Sequence, residues 1–163
     1  MSFRLLPNLR LVLPVVLAVV GASLWAQEQP IEFPHNKHME KGLECIDCHI
    51  TVDSQAEAGI PSVRKCMLCH QNVATDGPGV QLLRQYAEKK REVPWVRVYK
   101  FEVSAHAQFR HAPHVRAGVE CAACHGDVSR MTVVTKQVNH TMGTCLTCHR
   151  QNKASEDCAA CHN

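Results

Sequence analysis

Five copies of the sequence Cys-x-x-Cys-His constrain this chain more than any other feature. Their cysteines are Cys45, Cys48, Cys66, Cys69, Cys121, Cys124, Cys145, Cys148, Cys158 and Cys161. The histidines that follow them directly are His49, His70, His125, His149 and His162. The five pairs use all 10 cysteines of the 163 residues, whereas aromatic residues make up only 5% of the chain. A chain with so few large apolar side chains needs covalent or metal links to stabilise it, and the cysteines can provide them.

The Cys-x-x-Cys-His sequence is the attachment motif of c-type haem. Two thiols on one helical turn form thioethers to one porphyrin, and the adjacent histidine reaches the iron. Two other interpretations fit a single copy, since paired Cys-x-x-Cys units bind zinc through four thiolates and one unit can act as a redox dithiol. Five copies without any further cysteine favour haem. We therefore predict five covalently bound haem c groups, with the ten cysteines as attachment sites and the five motif histidines as iron ligands.

The opposite side of each iron needs a second ligand, and an internal repeat supplies candidates. Residues 33–50 and 109–126 align without a gap and share a phenylalanine, a glycine, a glutamate, two histidines and the attachment motif. Histidines three residues apart lie on one face of a helical turn, from which they can reach two different haems. The predicted second ligands are His35, His38, His111, His114 and His140. His106 has no counterpart in the first copy and is predicted to be a non-ligand. Two histidines on every iron would make electron transfer, rather than chemistry on a substrate, the expected role.

The first 26 residues indicate export. Arg4 and Arg10 precede an uncharged apolar run over residues 11–26, which is the pattern of a signal peptide or of an N-terminal membrane anchor. The run is shorter than the roughly 20 residues of a comfortable membrane span. The first 26 residues are either cleaved or retained as an apolar helix. Either outcome places residues 27–163 outside the cytoplasm.

The predicted fold is mostly irregular with short α-helices, wrapped around five haems with about 27 residues per haem after the leader. Residues 27–75 are predicted to form a dihaem module, and residues 105–163 a trihaem module. Residues 76–104 connect them through a linker helix, over residues 80–91, and an aromatic arm. The arm, residues 93–103, is predicted to be extended, and it either covers haem edges or docks onto a partner.

The charge of the chain excludes little except a nucleic-acid partner. The formal net charge is +3, and removing Arg4 and Arg10 leaves 16 basic against 15 acidic residues. No basic patch alternates with aromatic side chains, so no nucleic-acid partner is expected. The sequence also contains no recognisable nucleophile triad, phosphate-binding loop or catalytic carboxylate pair.

The order Phe-x-His-x-x-His, then Gly-x-x-Cys-x-x-Cys-His, resembles the class III multihaem cytochromes c over residues 33–70 and 109–162. In that family the first histidine of the pair caps the nearest haem and the second caps the next, while a histidine just before a motif caps the haem after it. The resemblance implies the ligand pairs His35–His49, His38–His70, His111–His125, His114–His149 and His140–His162. The family's Cys-x-x-Cys-His-His variant is absent from this chain.

The segment Pro94 to Tyr99, ahead of residues 109–111 and 118–121, resembles the pentahaem cytochrome c subunit of alternative complex III, a membrane quinol oxidoreductase. The resemblance implies an electron-relay subunit, not itself an enzyme, at the periplasmic face of the bacterial inner membrane. It implies an iron–sulfur and molybdopterin-type redox subunit and quinol-binding membrane subunits as partners, with a periplasmic cytochrome or oxidase as acceptor. Two other functions stay open. One is a soluble periplasmic shuttle that donates to a reductase such as nitrite reductase, and the other is an enzyme with one open haem iron.

Overall fold

A computed structural model describes residues 28–101 and 105–162 of the chain. In these ranges short α-helices are joined by turns and irregular segments, with a 3-10 turn at Val128–Arg130. The helices are α1 (His35–Met39), α2 (Cys45–Cys48), α3 (Val63–His70), α4 (Pro78–Glu88), α5 (His111–Arg116), α6 (Cys121–His125), α7 (Met142–Gln151) and α8 (Cys158–Cys161). The described residues contain no strand, only an isolated bridge between Ala107 and His162. The prediction of a mostly irregular chain with short helices is therefore confirmed for this part.

The predicted apolar N-terminal helix, residues 11–26, lies outside the described residues. Within the two described ranges, no helix has the length and the apolar character needed to cross a membrane.

Each attachment motif lies on a helix whose start is fixed by a polar side chain or a backbone turn. Ser62, Thr141 and Asp157 stand before α3, α7 and α8, and each accepts a hydrogen bond from a backbone N–H of the first turn. Glu44 precedes α2 and forms a capping box with Asp47, so donors at the helix start are satisfied reciprocally. Helix α6, which carries the third motif, has no side-chain cap. In the other four helices the caps start the helix close to the cysteine pair, which places the two thiols on one helical turn.

The two copies of the repeat fold in the same way. A glycine with positive φ follows α1 and α5 within three residues of the helix end, +81° at Gly42 and +76° at Gly118. The residue after each glycine donates its N–H to the carbonyl of the second histidine of the pair, Leu43 to His38 at 3.4 Å and Val119 to His114 at 3.1 Å. This closing turn needs a left-handed residue, which explains why both copies carry glycine at this position.

The main apolar cluster of the described residues lies where α3 packs against α4. Its buried members are Ile31, Val63, Leu83 and Val93. Helix α4 confirms the predicted linker helix, although it starts at Pro78 and ends at Glu88 rather than spanning residues 80–91. Proline suits the first helical turn because its missing N–H would have no partner there. The linker helix therefore stabilises the second attachment motif, which α3 carries.

The aromatic arm is irregular over residues 92–98 rather than a strand, and residues 102–104 lie outside the described ranges. Trp95 packs on the apolar cluster and meets Phe33 edge to face at 6.3 Å between ring centroids. Tyr99 lies against His125, with ring centroids 4.7 Å apart. Trp95 thus contacts the apolar cluster, and Tyr99 contacts the histidine of the third Cys-x-x-Cys-His motif.

Candidate haem-binding sites

A phenylalanine positions each pair of histidines in the repeat. Phe33 stacks on His38 with ring centroids 4.3 Å apart and meets His35 edge to face at 4.6 Å. In the second copy, Phe109 contacts His114 at 4.4 Å and His111 at 4.9 Å in the same arrangement. Aromatic contacts of this kind fix ring orientation. The sequence showed the shared phenylalanine but gave no role for it, which the structure now supplies.

Seven of the predicted iron ligands are held in one orientation by the backbone. In each of them Nδ1 bonds to a backbone carbonyl, at 2.7–3.1 Å in six cases. They are His38, His49, His70, His111, His114, His149 and His162. A histidine that binds a metal usually donates its other N–H to such an acceptor, which fixes the tautomer and leaves Nε2 for the metal. This orientation fits iron ligation by Nε2.

Three motif histidines face a histidine of the repeat at the spacing that one metal atom requires. The ring centroids of His38 and His70 are 6.0 Å apart. Those of His111 and His125 are 6.2 Å apart with nearly parallel rings, and those of His114 and His149 are 6.0 Å apart. Two imidazole nitrogens about 2 Å from one metal, with each ring centre about 1 Å farther out, give about 6 Å between centres. The residues present therefore fit haem iron with two histidine ligands.

Two further predicted ligands, His35 and His125, are half-buried, and the pairing of His35 with His49 stays a prediction. Burial is the main cause that lowers the pKa of His35, and the charge of His49 lowers it further, to about 4. Burial is also the main cause that lowers the pKa of His125, and the charges of His111, His140 and His49 lower it further. Both rings are thus neutral at pH 7, which is the form of histidine that binds a metal.

His140 lies beside the third motif. Its Nε2 bonds to the carbonyl of Cys124 at 2.7 Å, the reverse of the orientation found in the other seven rings. Its ring is 6.1 Å from that of His125 and 4.9 Å from that of Tyr99. Within the described residues, no histidine ring lies against His162. The pairing of His140 with His162 stays a prediction, and the structure does not bring these two residues together.

His106, the predicted non-ligand, lies in the segment that runs beside the fifth motif. Gln108 donates its backbone N–H to the carbonyl of Cys161 at 2.8 Å. Nδ1 of His162 bonds to the carbonyl of Ala105 at 3.1 Å. The side chain of His106 itself is exposed, and its φ is +45°.

Five of the ten cysteines carry a thiol of raised pKa. All ten are free and at least partly accessible. Burial is the first cause that raises the pKa of Cys45, Cys48, Cys66, Cys124 and Cys145, whereas a redox dithiol carries a thiol of lowered pKa. No three side chains of the metal-ligating types converge in the described residues as they would around zinc.

Tyr99 is a second contact that the sequence did not reveal. Its hydroxyl donates to the carbonyl of His125 at 3.2 Å and accepts from the backbone N–H of Gln137 at 2.8 Å. It thereby ties the third motif to the segment that leads into α7. The alternation of aromatic residues in the arm was visible in the sequence, but its partners lie 26 to 39 residues away.

Comparison with known proteins matches both parts of the chain to multihaem cytochrome families. The family described as "Class III cytochrome C family" matches residues 16–93, and "Cytochrome c7 and related cytochrome c" matches residues 107–163. The chain is also similar to the menaquinone reductase multihaem cytochrome c subunit of Nitratidesulfovibrio vulgaris (strain Hildenborough). The two are 29% identical over 165 residues, which cover 83% of this chain and 77% of the relative.

Proposed function

We propose that this chain, a multihaem c-type cytochrome of the class III and cytochrome c7 type, relays electrons as a subunit of a quinone-linked membrane complex. Haem binding and electron transport are properties of this type of cytochrome. The number of haems, their second ligands and the partners are the parts that the proposal adds. It assigns five haem c groups to the ten cysteines and two histidine ligands to each iron.

The observation that carries the proposal is the set of three histidine pairs with ring centroids about 6 Å apart, in which Nδ1 of five of the six rings bonds to a backbone carbonyl. An iron with two imidazole ligands has no open position for a substrate, so its bound haem supplies reversible one-electron chemistry. The chain's own residues hold the rings still. Phe33 stacks on His38, Phe109 packs at a tilt against His114, and backbone carbonyls fix the tautomers. A site that does not rearrange between redox states suits a relay.

The partners and the direction of electron flow come from resemblance. A menaquinone reductase subunit is the named relative, which supports a quinone-linked membrane complex. We propose quinol oxidation with transfer to periplasmic acceptors, through an iron–sulfur and molybdopterin-type subunit and quinol-binding membrane subunits. The relative's name favours electron delivery to menaquinone as a second candidate. In both cases the chain would lie at the periplasmic face of the inner membrane.

Purification from detergent-solubilised membranes tests membership of such a complex. The cytochrome should co-purify with an iron–sulfur subunit and membrane subunits, and its mass should exceed that of the processed polypeptide by five haems. A soluble monomer would instead support the periplasmic shuttle, and carbon monoxide binding by the reduced protein would support an enzyme with an open iron. Two mixing experiments determine the direction of electron flow. Added menaquinol should reduce the oxidised haems if the complex oxidises quinol, whereas added menaquinone should oxidise the reduced haems if the second candidate holds.

The second ligand of the haem at motif five has a test of its own. His140 is proposed for it on the class III resemblance alone. The variant His140→Ala should create one high-spin haem, visible by electron paramagnetic resonance (EPR), if it ligates that iron. An unchanged low-spin spectrum would instead assign His140 to the contact with Tyr99 and Cys124.

A further inference from the structure

The loop of residues 51–59, which follows the first Cys-x-x-Cys-His motif, bonds to a predicted iron ligand in each module. Nδ1 of His49 bonds to the carbonyl of Gly59 at 2.7 Å, within the predicted dihaem module. Nδ1 of His111 bonds to the carbonyl of Ala56 at 2.9 Å, although His111 belongs to the predicted trihaem module. The backbone N–H of His111 donates to the same carbonyl at 2.9 Å. One short loop therefore fixes the ring orientation of two ligands that the proposed function assigns to different haems.

The bond to His111 differs from the six other bonds that hold Nδ1 of a predicted ligand. In five of those six, the acceptor lies at most ten residues from its histidine. The sixth joins His162 to Ala105 across 57 residues, but both belong to the predicted trihaem module. The acceptor of His111 lies 55 residues away, in the other module. The ring orientation of His111 thus depends on a segment from outside its own module.

The equivalent segment of the second copy, residues 127–135, shares one contact of this loop but not its bonds to ligands. Ala112 donates its N–H to the carbonyl of Gln55 at 3.3 Å, and at the corresponding positions Asn36 donates to Met131 at 3.1 Å. Among the described residues, none of the seven Nδ1 bonds has its acceptor in residues 127–135. The ligand contacts are therefore specific to residues 51–59 and do not follow from the repeat itself.

Two arginines from other parts of the chain hold the loop in place. Arg97, from the aromatic arm, bonds to both carboxylate oxygens of Glu57, at 2.8 Å and 3.1 Å. Arg116, from α5, donates Nε–H to the carbonyl of Asp53 at 2.9 Å. The ion pair is exposed and contributes little to stability. These contacts nevertheless define where the loop lies relative to α5, which carries His111.

Thr51 closes the loop from within. Its hydroxyl donates to the carbonyl of Glu57 at 2.9 Å. A Cβ at Gly59 would come within 2.7 Å of the same hydroxyl oxygen, and φ at Gly59 is +77°, so the two residues pack closely. Glu57 lies between Ala56 and Gly59 in the sequence. The hydroxyl of Thr51 therefore fixes the stretch of backbone that carries both acceptors.

We infer that Thr51 and its loop position iron ligands in both modules and thereby set the reduction potentials of two haems together, those of the first and third motifs. The inference rests on the proposed function, because it requires haem iron bound by His49 and His111. A histidine that donates its second N–H to a carbonyl is a more basic ligand, and such hydrogen bonding is one means by which a protein sets a haem potential. A more basic ligand favours oxidised iron, so the loop lowers both potentials.

The variant Thr51→Val tests this role, because it keeps the shape of the side chain and removes the hydroxyl. Redox titrations of the full holoprotein, followed by NMR of the methyl groups of each haem, measure the individual potentials. The potentials of the haems at the first and third motifs should rise, and the other three should stay unchanged. Thr51→Ser keeps the hydroxyl and should restore both potentials. The matched control is Thr75→Val, since the hydroxyl of Thr75 bonds to the side chain of its neighbour Asp76 and should leave all five potentials unchanged.

Three results in Thr51→Val with all five haems attached would overturn the inference: unchanged potentials, a shift at one of the two haems alone, or a shift at all five. A further test needs no substitution. In the fully reduced, diamagnetic holoprotein, nuclear Overhauser contacts should join the Nδ1 proton of His111 to Ala56 and that of His49 to Gly59, and their absence would overturn the inference as well. The proposed function fails separately, through a haem count other than five or the lack of partner subunits.

Discussion

Removing the hydroxyl of Tyr99 should loosen the third haem site measurably. In Tyr99→Phe the ring stays against His125, but the bonds to the carbonyl of His125 at 3.2 Å and from the N–H of Gln137 at 2.8 Å are lost. A third contact, from the N–H of Val138 at 3.4 Å, is long and adds little. At about 1 kcal/mol for each of the two shorter bonds, the free energy of unfolding should fall by about 2 kcal/mol.

The control is Tyr86→Phe, because the hydroxyl of Tyr86 makes no hydrogen bond within the described residues although its ring packs on the apolar cluster. Denaturant unfolding of the two holoproteins, followed by haem absorbance, should show the loss only for Tyr99→Phe. Hydrogen exchange of the Gln137 and Val138 amides should also become faster in that variant. Equal stability of the two variants, with unchanged exchange at Gln137, would refute the role assigned to the hydroxyl.

Three further predictions address ligation, helix capping and surface charge. His114→Ala should leave one iron without its second ligand and produce a high-spin EPR signal, whereas His106→Ala should keep every haem low-spin; a high-spin signal in the latter would show that His106 is a ligand. Glu92→Gln should lower the free energy of unfolding by about 1 kcal/mol, because the exposed carboxylate accepts a hydrogen bond from the N–H of Val63 at 2.7 Å at the start of α3. Glu88→Gln serves as its control. Glu57→Gln should have a small, salt-sensitive effect on thermal stability. Since the hydrogen bond and charge of Arg97 lower the pKa of Glu57 in the folded state, that effect should be present above about pH 4.5 and vanish as the pH falls through the lowered pKa.

The sequence predicted those parts of the structure that depend on local spacing. The attachment motifs, the paired histidines and the linker helix follow from periodicity, capping residues and the repeat. The predicted end of the linker helix, Arg91, lies three residues beyond the observed end at Glu88. Lys90 adopts a positive φ of 51°, and Arg91 bonds back to the carbonyl of Tyr86 at 2.9 Å, although Lys89, Lys90 and Arg91 all have good helix propensity. Local propensity did not reveal this closing turn.

The parts that the sequence did not predict depend on contacts between distant segments. The arm has alternating large side chains, but their spacing did not reveal that Trp95 packs against the apolar cluster. Likewise, nothing in the spacing of the motifs predicts that Ala112 donates its N–H to the carbonyl of Gln55, since that contact arises only when the two copies pack together. The position of His140 next to Cys124 belongs to the same category, because it depends on the path of residues 131–139.

The small core has a consequence for how the protein is made. Only Ile31, Val52, Val63, Leu83, Val93 and Ala112 are buried apolar residues in the described ranges, which is too little apolar surface to hold a chain of this length together. The polypeptide would therefore stay open until its cofactors are attached, and an open chain is a substrate for proteases. Haem delivery, rather than synthesis of the polypeptide, would then set how much of the haem-loaded protein accumulates.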